Sequence, residues 1–210
     1  IASPANILVN ELPASIQDFR DRFADVELSL IDLASNPARQ ALEDGRVDMA
    51  VVGLLDQSLP STLKADSVTR FPFMLVSHRD HPVVARKRIE LRSLARYPFV
   101  ISSEGTNARR RMDEVFEASG LSSDLRIVCE VSTKELILQY VQLDFGIAIV
   151  PISPRFQDRS NSPFADVAAL SFRDVSRMFG HEEIVILRRS LRHEPEHHRA
   201  FRDVILSSIQ

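Results

Sequence analysis

Serine, threonine and asparagine recur in this sequence at the places where apolar runs give out. Ser3 and Asn6 follow the first short run, Ser35 follows VELSLIDL, and Gly53 closes Met49–Val52. Ser77 ends FPFMLV; Ser102, Ser103 and Thr106 follow Phe99–Ile101; Ser132 and Thr133 follow Ile127–Val131. Such hydroxyls and amides, together with the backbone N–H groups that begin a helix, suit an uncharged polar ligand or a small anion. Each also has a local reading. Ser132, three residues before Glu135, reads as half of a capping box, and Asn36 before Pro37 reads as a helix cap. Ser102, Ser103 and Thr106 can turn the chain into its next helix. Asn6 and Ser77 have no such role in the sequence, and Ser35 stands between the two groups.

Other reactive side chains do not assemble into a catalytic set. There is no G-x-S-x-G, no Walker loop and no G-x-G-x-x-G, and the chain has only six glycines. The single cysteine, Cys129, sits in the apolar run IVCEV and reads as a buried, inert thiol. Arg109-Arg110-Arg111 could clamp an anion, but positive charge in a first turn opposes the helix dipole, which favours a solvated face. His193, His197 and His198 stand beside Glu194 and Glu196. His193 and His197 bracket Pro195, so the tract reads as surface rather than as a metal-ligand set. His78 and His81 flank HRDHPVVARKR, read as an exposed basic connection. Neither a metal nor a cofactor is expected.

The elements that must position these residues alternate. Ile1–Ser3 reads as a strand remnant, Leu12–Arg22 as a helix, and 26–33 as a strand with Val26, Leu28 and Leu30 on its more buried face. A helix over Ala38–Asp44 stops at Gly45 before the buried strand Met49–Val52. Residues 67–77 hold a strand that Pro72 confines to an edge or a start. The later pattern is strand Phe99–Ile101, helix Asn107–Ser119, strand Ile127–Val131, helix Ser132–Asp144 and strand Ile147–Val150. Residues 152–166 read as loop, Glu183–Arg188 as a strand, and Pro195–Ile209 as a closing helix. This is an α/β chain with right-handed parallel crossovers, which bind ligands outside the carboxyl ends of their strands.

Several of these segments carry a family resemblance: Leu12-Pro13, Phe19 and Phe23, ALEDGRVDMAVVG at 41–53, His81-Pro82, LRSLARYPFVI at 91–101, and VSTKELILQYVQLDFGIAIVP at 131–151. In order and spacing they resemble the effector-binding domain of LysR-type transcriptional regulators, across nearly the whole chain. The resemblance implies the type 2 periplasmic-binding-protein fold: two Rossmann-like subdomains joined by two crossing strands. Subdomain I would take residues 1–70 and 184–210, and subdomain II residues 71–183. It further implies an effector between the subdomains, touched by Ser3, Asn6, Ser35, Ser77, Ser102, Ser103, Thr106, Ser132 and Thr133, with Asn6 and Ser77 raised most. Some relatives place a polar side chain where Gly53 stands; glycine leaves room there.

Bulk properties agree with a sensor rather than a nucleic-acid binder. The chain has 210 residues, 44% hydrophobic and 26% charged, enough for one or two cores without disulfides. A net charge of −3 argues against this fragment gripping nucleic acid by itself. No run approaches the roughly 20 apolar residues of a membrane span. The resemblance implies a winged helix-turn-helix and a linker helix ahead of Ile1, so that DNA is contacted only through a domain this chain lacks. It also implies a cytoplasmic homodimer or homotetramer, with the helix Leu12–Arg22 as one candidate contact and core packing as the competing use of its apolar face. The expected function is a non-enzymatic sensor of a polar or anionic metabolite. The rival is a free-standing solute-binding protein of a transport system.

Overall fold

Short apolar runs, each closed by a turn, build two compact units: Ile1–Arg70 with Glu183–Gln210, and Phe71–Glu182. The computed structural model describes residues 1–55, 59–154, 167–190 and 194–209. The predicted loop 152–166 and His193 fall largely outside them.

In the first unit, β1 (Ala2–Ser3) lies between β2 (Ile31–Asp32) and β3 (Ala50–Leu54), parallel to both. β9 (His181–Arg189) pairs antiparallel with β3, Ala50 opposite Leu187 and Leu54 opposite Glu183, and has the first half of β4 (Leu63–His78) on its other side. Helices α1 (Ala5–Asn10), α2 (Pro13–Arg22) and α3 (Ser35–Glu43) complete this unit with the C-terminal helix Glu196–Ser208. Ala38, Ala41 and Leu42 of α3 share a core with Ala2, Val52, Val185 and Leu187, all essentially removed from water. The apolar side of α2 is also core: Phe19 stacks on Phe23 and meets Phe201 of the last helix edge-on, both at 4.9 Å. That packing supports the core use of this helix's apolar face. Leu12 and Phe19 are buried within the unit, while Ile16 and Phe23 stay half-buried.

Two predictions change here. The strand expected over 26–33 pairs only at Ile31–Asp32, where both residues are exposed; it is an edge strand with one neighbour. Helix α3 starts at Ser35 with Ala34 as its cap residue, so Asn36 is not the cap. Helix α1 has no signal in the chain's pattern, since ANILVN carries neither a helical stripe nor a polar cap.

In the second unit the later half of β4 is flanked by β7 (Ala148–Pro151) and β8 (Leu170–Asp174), both antiparallel to it. β5 (Pro98–Ser102) and β6 (Arg126–Val131) form a parallel pair, and a bridge from Phe99 to Ile147 joins β5 to the start of β7. Pro72 sits mid-strand rather than at a start. It falls where β4 passes from one unit to the next and changes neighbours, so its missing N–H breaks no continuous ladder. Helices α4 (Leu91–Leu94), α5 (Asn107–Ala118), α6 (Lys134–Gln142) and α7 (Ser176–Phe179) surround the strands. Ile137, Leu138 and Val141 of α6 pack on Val76, Val100, Ala148 and Val150. Cys129, half-buried on the outer strand β6, packs at the edge of that cluster rather than inside it.

Candidate functional site

The predicted residues divide by unit, and the strand directions decide which of them meet. In the first unit, β1, β2 and β3 run parallel, so Ser3, the start of α3 and Gly53 share one end. Ser3 is fully buried and donates its hydroxyl to the Val51 carbonyl at 2.6 Å. Ser35 accepts from the Gly53 N–H at 3.2 Å, which joins the first turn of α3 to the tip of β3. Ser3 is therefore an internal strand-to-strand link, while Ser35 and Asn6, both half-buried, stay at the rim. Asn6 lies in the first turn of α1, and its carbonyl accepts from the Asn10 side chain at 2.9 Å.

In the second unit, β5 and β6 end side by side, Ser102 in register with Val131, and the Ser103 N–H donates to the Val131 carbonyl at 3.0 Å. This brings Ser102, Ser103, Ser132 and Thr133 onto one rim together with the N-termini of α5 and α6. Thr106 caps α5: its hydroxyl accepts from the Arg109 N–H at 3.2 Å and donates to the Ser103 carbonyl at 2.9 Å. The cap of α6 is Thr133, accepting from the Leu136 N–H at 3.3 Å. The predicted capping box is thus displaced by one residue, and Ser132 is left exposed and without a capping task.

Ser77 is not on this rim. β7 runs parallel to β5 and antiparallel to β4, so the carboxyl ends of β5, β6 and β7 lie beside Phe73, which pairs with Pro151. Ser77 is four residues farther along β4, about 14 Å away at the strand's rise of about 3.4 Å per residue. There it is buried opposite Ser171 and donates to the His78 carbonyl at 3.1 Å. The sequence shows where an apolar run ends but not which way its sheet neighbours run.

Two side chains absent from the sequence expectations stand at the same end. Lys134 is the first residue of α6, its Nζ 5.7 Å from the centroid of the Phe71 ring. Glu182, at the start of β9, is buried and accepts from the Asn107 side-chain amide at 2.8 Å. Burial raises its pKa above the ordinary glutamate range, and the nearby charge of Lys134 and the Asn107 hydrogen bond pull it back. A lysine in a first turn, against the helix dipole, was the available signal in STKEL.

The arginine triple is internally paired but half-buried, not the solvated face expected: the Arg109 and Arg111 side chains are only 15% and 19% exposed. Arg109 bonds Asp113 at 3.0 Å and Glu130 at 2.9 Å, and Arg110 and Arg111 both meet Glu114. Among the described residues no group of three His, Cys, Asp or Glu could hold a metal ion. A small depression in the first unit, lined by Asp48, Arg188, Arg189, Glu194 and His198, is bridged by ion pairs rather than lined by hydroxyls. It lies by the residues that lead into β3, at the opposite end from Gly53.

Comparison with known proteins adds the last observation. A family model described as "LysR substrate binding domain" matches residues 1–210. A regulator from Klebsiella aerogenes, "HTH-type transcriptional regulator cbl", is 30% identical over 141 residues, 66% of this chain and 43% of that protein. The chain therefore spans less than half the length of that relative. Among solved structures, the cofactor-binding domain of the Cbl transcriptional regulator superposes with a TM-score of 0.82 at 22% identity, covering 100% of this chain and 87% of that one. The Synechocystis PCC6803 CcmR regulatory domain in complex with 2-PG gives 0.83 at 16% identity, covering 100% and 95%.

Proposed function

The chain belongs to the LysR substrate binding domain family, and from that membership we propose that it senses a small anionic metabolite at the strand tips of its second unit. It is the effector-binding domain of a LysR-type regulator with the type 2 periplasmic-binding-protein fold. The curated relatives are transcriptional regulators, which does not favour the solute-transport alternative.

In this reading Ser102, Ser103 and Ser132 offer hydroxyls or N–H groups to the effector, Thr106 and Thr133 hold two helix N-termini in place, and Lys134 supplies the charge. Lys134 carries the choice of an anion. A lysine as the first residue of a nine-residue helix opposes the dipole, and a bound anion would reverse that unfavourable contact. In the first unit Asn6, Ser35 and the Gly53 backbone offer polar groups at the corresponding rim. The effector is released unchanged; its role is to favour one state of the protein by its differential affinity. DNA binding by the whole protein, and a cytoplasmic location with it, belong to this proposal.

We further propose self-association through two exposed strand edges. Leu30 and Ile31, beside and on β2, are apolar and exposed in the first unit, as is Val9 of α1. Ile127 and Val128 of β6 and Leu136 of α6 are exposed in the second. An exposed apolar edge strand is a template for pairing with a second copy of the chain.

A thermal-shift screen against small carboxylates, phosphates, sulfonates, amines and neutral sugars tests the first reading. Anions are expected to raise the melting temperature in a dose-dependent way. Stabilisation by amines or sugars alone contradicts it.

A further inference from the structure

The basic connection after β4 is not a loose surface loop. Six of the chain's 26 basic residues, Arg79, Arg86, Lys87, Arg88, Arg92 and Arg96, fall within residues 79–97, against two of its 29 acidic ones, Asp80 and Glu90. A segment of opposite sign to the whole chain, whose net charge is −3, is thereby concentrated in one place. Its backbone is held from several sides. The Arg173 guanidinium, reaching over from β8, donates to the main-chain carbonyls of Arg86 and of Lys87, the latter at 2.6 Å. Arg86 donates to the Tyr97 hydroxyl at 3.0 Å and lies over its ring, which also packs edge-on against His81 at 4.8 Å.

Apolar members of the same segment are anchored below. Val83, Leu94 and Ala95 are buried, whereas Arg86, Lys87, Arg88, Arg92 and Arg96 between and beside them are exposed. Arg79 has Asp80 at 3.9 Å, but no ion pair joins Lys87, Arg88, Arg92 or Arg96 to a carboxylate among the described residues. The Arg109–Arg111 face of α5 makes the contrast: there every cation has a carboxylate within 4 Å.

We propose that residues 79–97 form a docking surface for the phosphodiester backbone of duplex DNA. Like-charged side chains fixed on an ordered backbone repel one another, and phosphates relieve that repulsion while releasing counterions. Arginine's planar fork suits a phosphate's paired oxygens, and five of the six cations are arginine. Such contacts position a protein on DNA without reading sequence. This surface is separate from the Ser102–Lys134 rim and is independent of the effector. Only the choice of DNA over another polyanion rests on the regulator reading. It qualifies the argument from net charge, because backbone binding depends on local rather than total charge.

The test is fluorescence anisotropy of this chain with a labelled duplex of arbitrary sequence at low salt, about 25 mM. Saturable binding is expected, weakening about a hundredfold by about 100 mM salt if some four phosphates are neutralised. The variant Lys87→Glu/Arg88→Glu/Arg92→Glu/Arg96→Glu should lose more than tenfold in affinity. A variant with the same charge change elsewhere, Arg20→Glu/Lys64→Glu/Arg70→Glu/Arg126→Glu, should lose far less. Unchanged melting temperature and unchanged anion-induced stabilisation in the first variant show that fold and effector site are intact, so a failure here leaves the sensor reading standing. No binding by the parent chain, equal losses in the two variants, or equal competition by polyglutamate would each overturn the proposal.

Discussion

Lys134 and Glu182 divide the electrostatics of the second unit's rim between them. Because burial holds the proton on Glu182 to higher pH than in the unfolded chain, its stability contribution is complete below the ordinary glutamate pKa, about 4.3, and is lost as pH rises through its raised folded value. Glu182→Gln keeps a carbonyl to accept from Asn107 and does not titrate. Thermal melts of parent and variant should coincide near pH 4 and separate at higher pH, with the glutamine form the more stable. Parallel curves over the whole range would show that Glu182 carries no such penalty. The caps make a second comparison. Thr133→Ala removes the hydrogen bond to the Leu136 N–H and should cost about 1 kcal/mol. Ser132→Ala should stay within about 0.5 kcal/mol, since that side chain is exposed. Chemical denaturation of the two variants reads the difference, and the reverse order would restore Ser132 as the cap.

Among the elements, the turn from α6 into β7 has the least room for change. Gly146 has φ +157, and a Cβ there would lie 2.2 Å from the Pro98 carbonyl oxygen, a backbone atom that cannot swing aside. The same carbonyl accepts from the Ile147 N–H at 2.9 Å, so the close approach registers β7 beside β5. Gly146→Ala should cost about 3 kcal/mol or more, seen as a drop in the denaturation midpoint. Retention of parental stability would mean that the turn relaxes without strain. This glycine and its strand were readable from DFGIAIVP, as were the stop at Gly45 and the helix ending there. These signals are local in the chain. The rim at Ser102, Ser103 and Thr133 was also readable, because a polar residue between a strand and a helix marks a strand tip wherever the sheet is parallel. Ser77 was misplaced for the complementary reason: β4 runs against β7, and strand direction is a property of the assembled sheet. Ser3 looked like a rim residue, yet its hydroxyl closes an internal bond to Val51. Val26, Leu28 and Leu30 alternate as a strand should, but only one neighbour pairs there, so the ladder stays short.

For the whole molecule, two expectations follow from the exposed apolar edges and the polar rim. Sedimentation equilibrium at micromolar concentration should find a dimer in the parent chain. Leu30→Asp and Ile127→Asp should each shift it toward monomer with the fold intact. A monomeric parent would remove the strand-edge proposal. Sensing requires only that an effector favour one state over another, by at most its difference in affinity for the two. The most direct measurement is isothermal titration of the strongest anionic hit into the parent chain and into Lys134→Met. At equal fold stability, one site per chain is expected, with a dissociation constant raised about tenfold or more by the variant, or about 1.4 kcal/mol. An unchanged dissociation constant would contradict that, because the anion would then be held without help from Lys134.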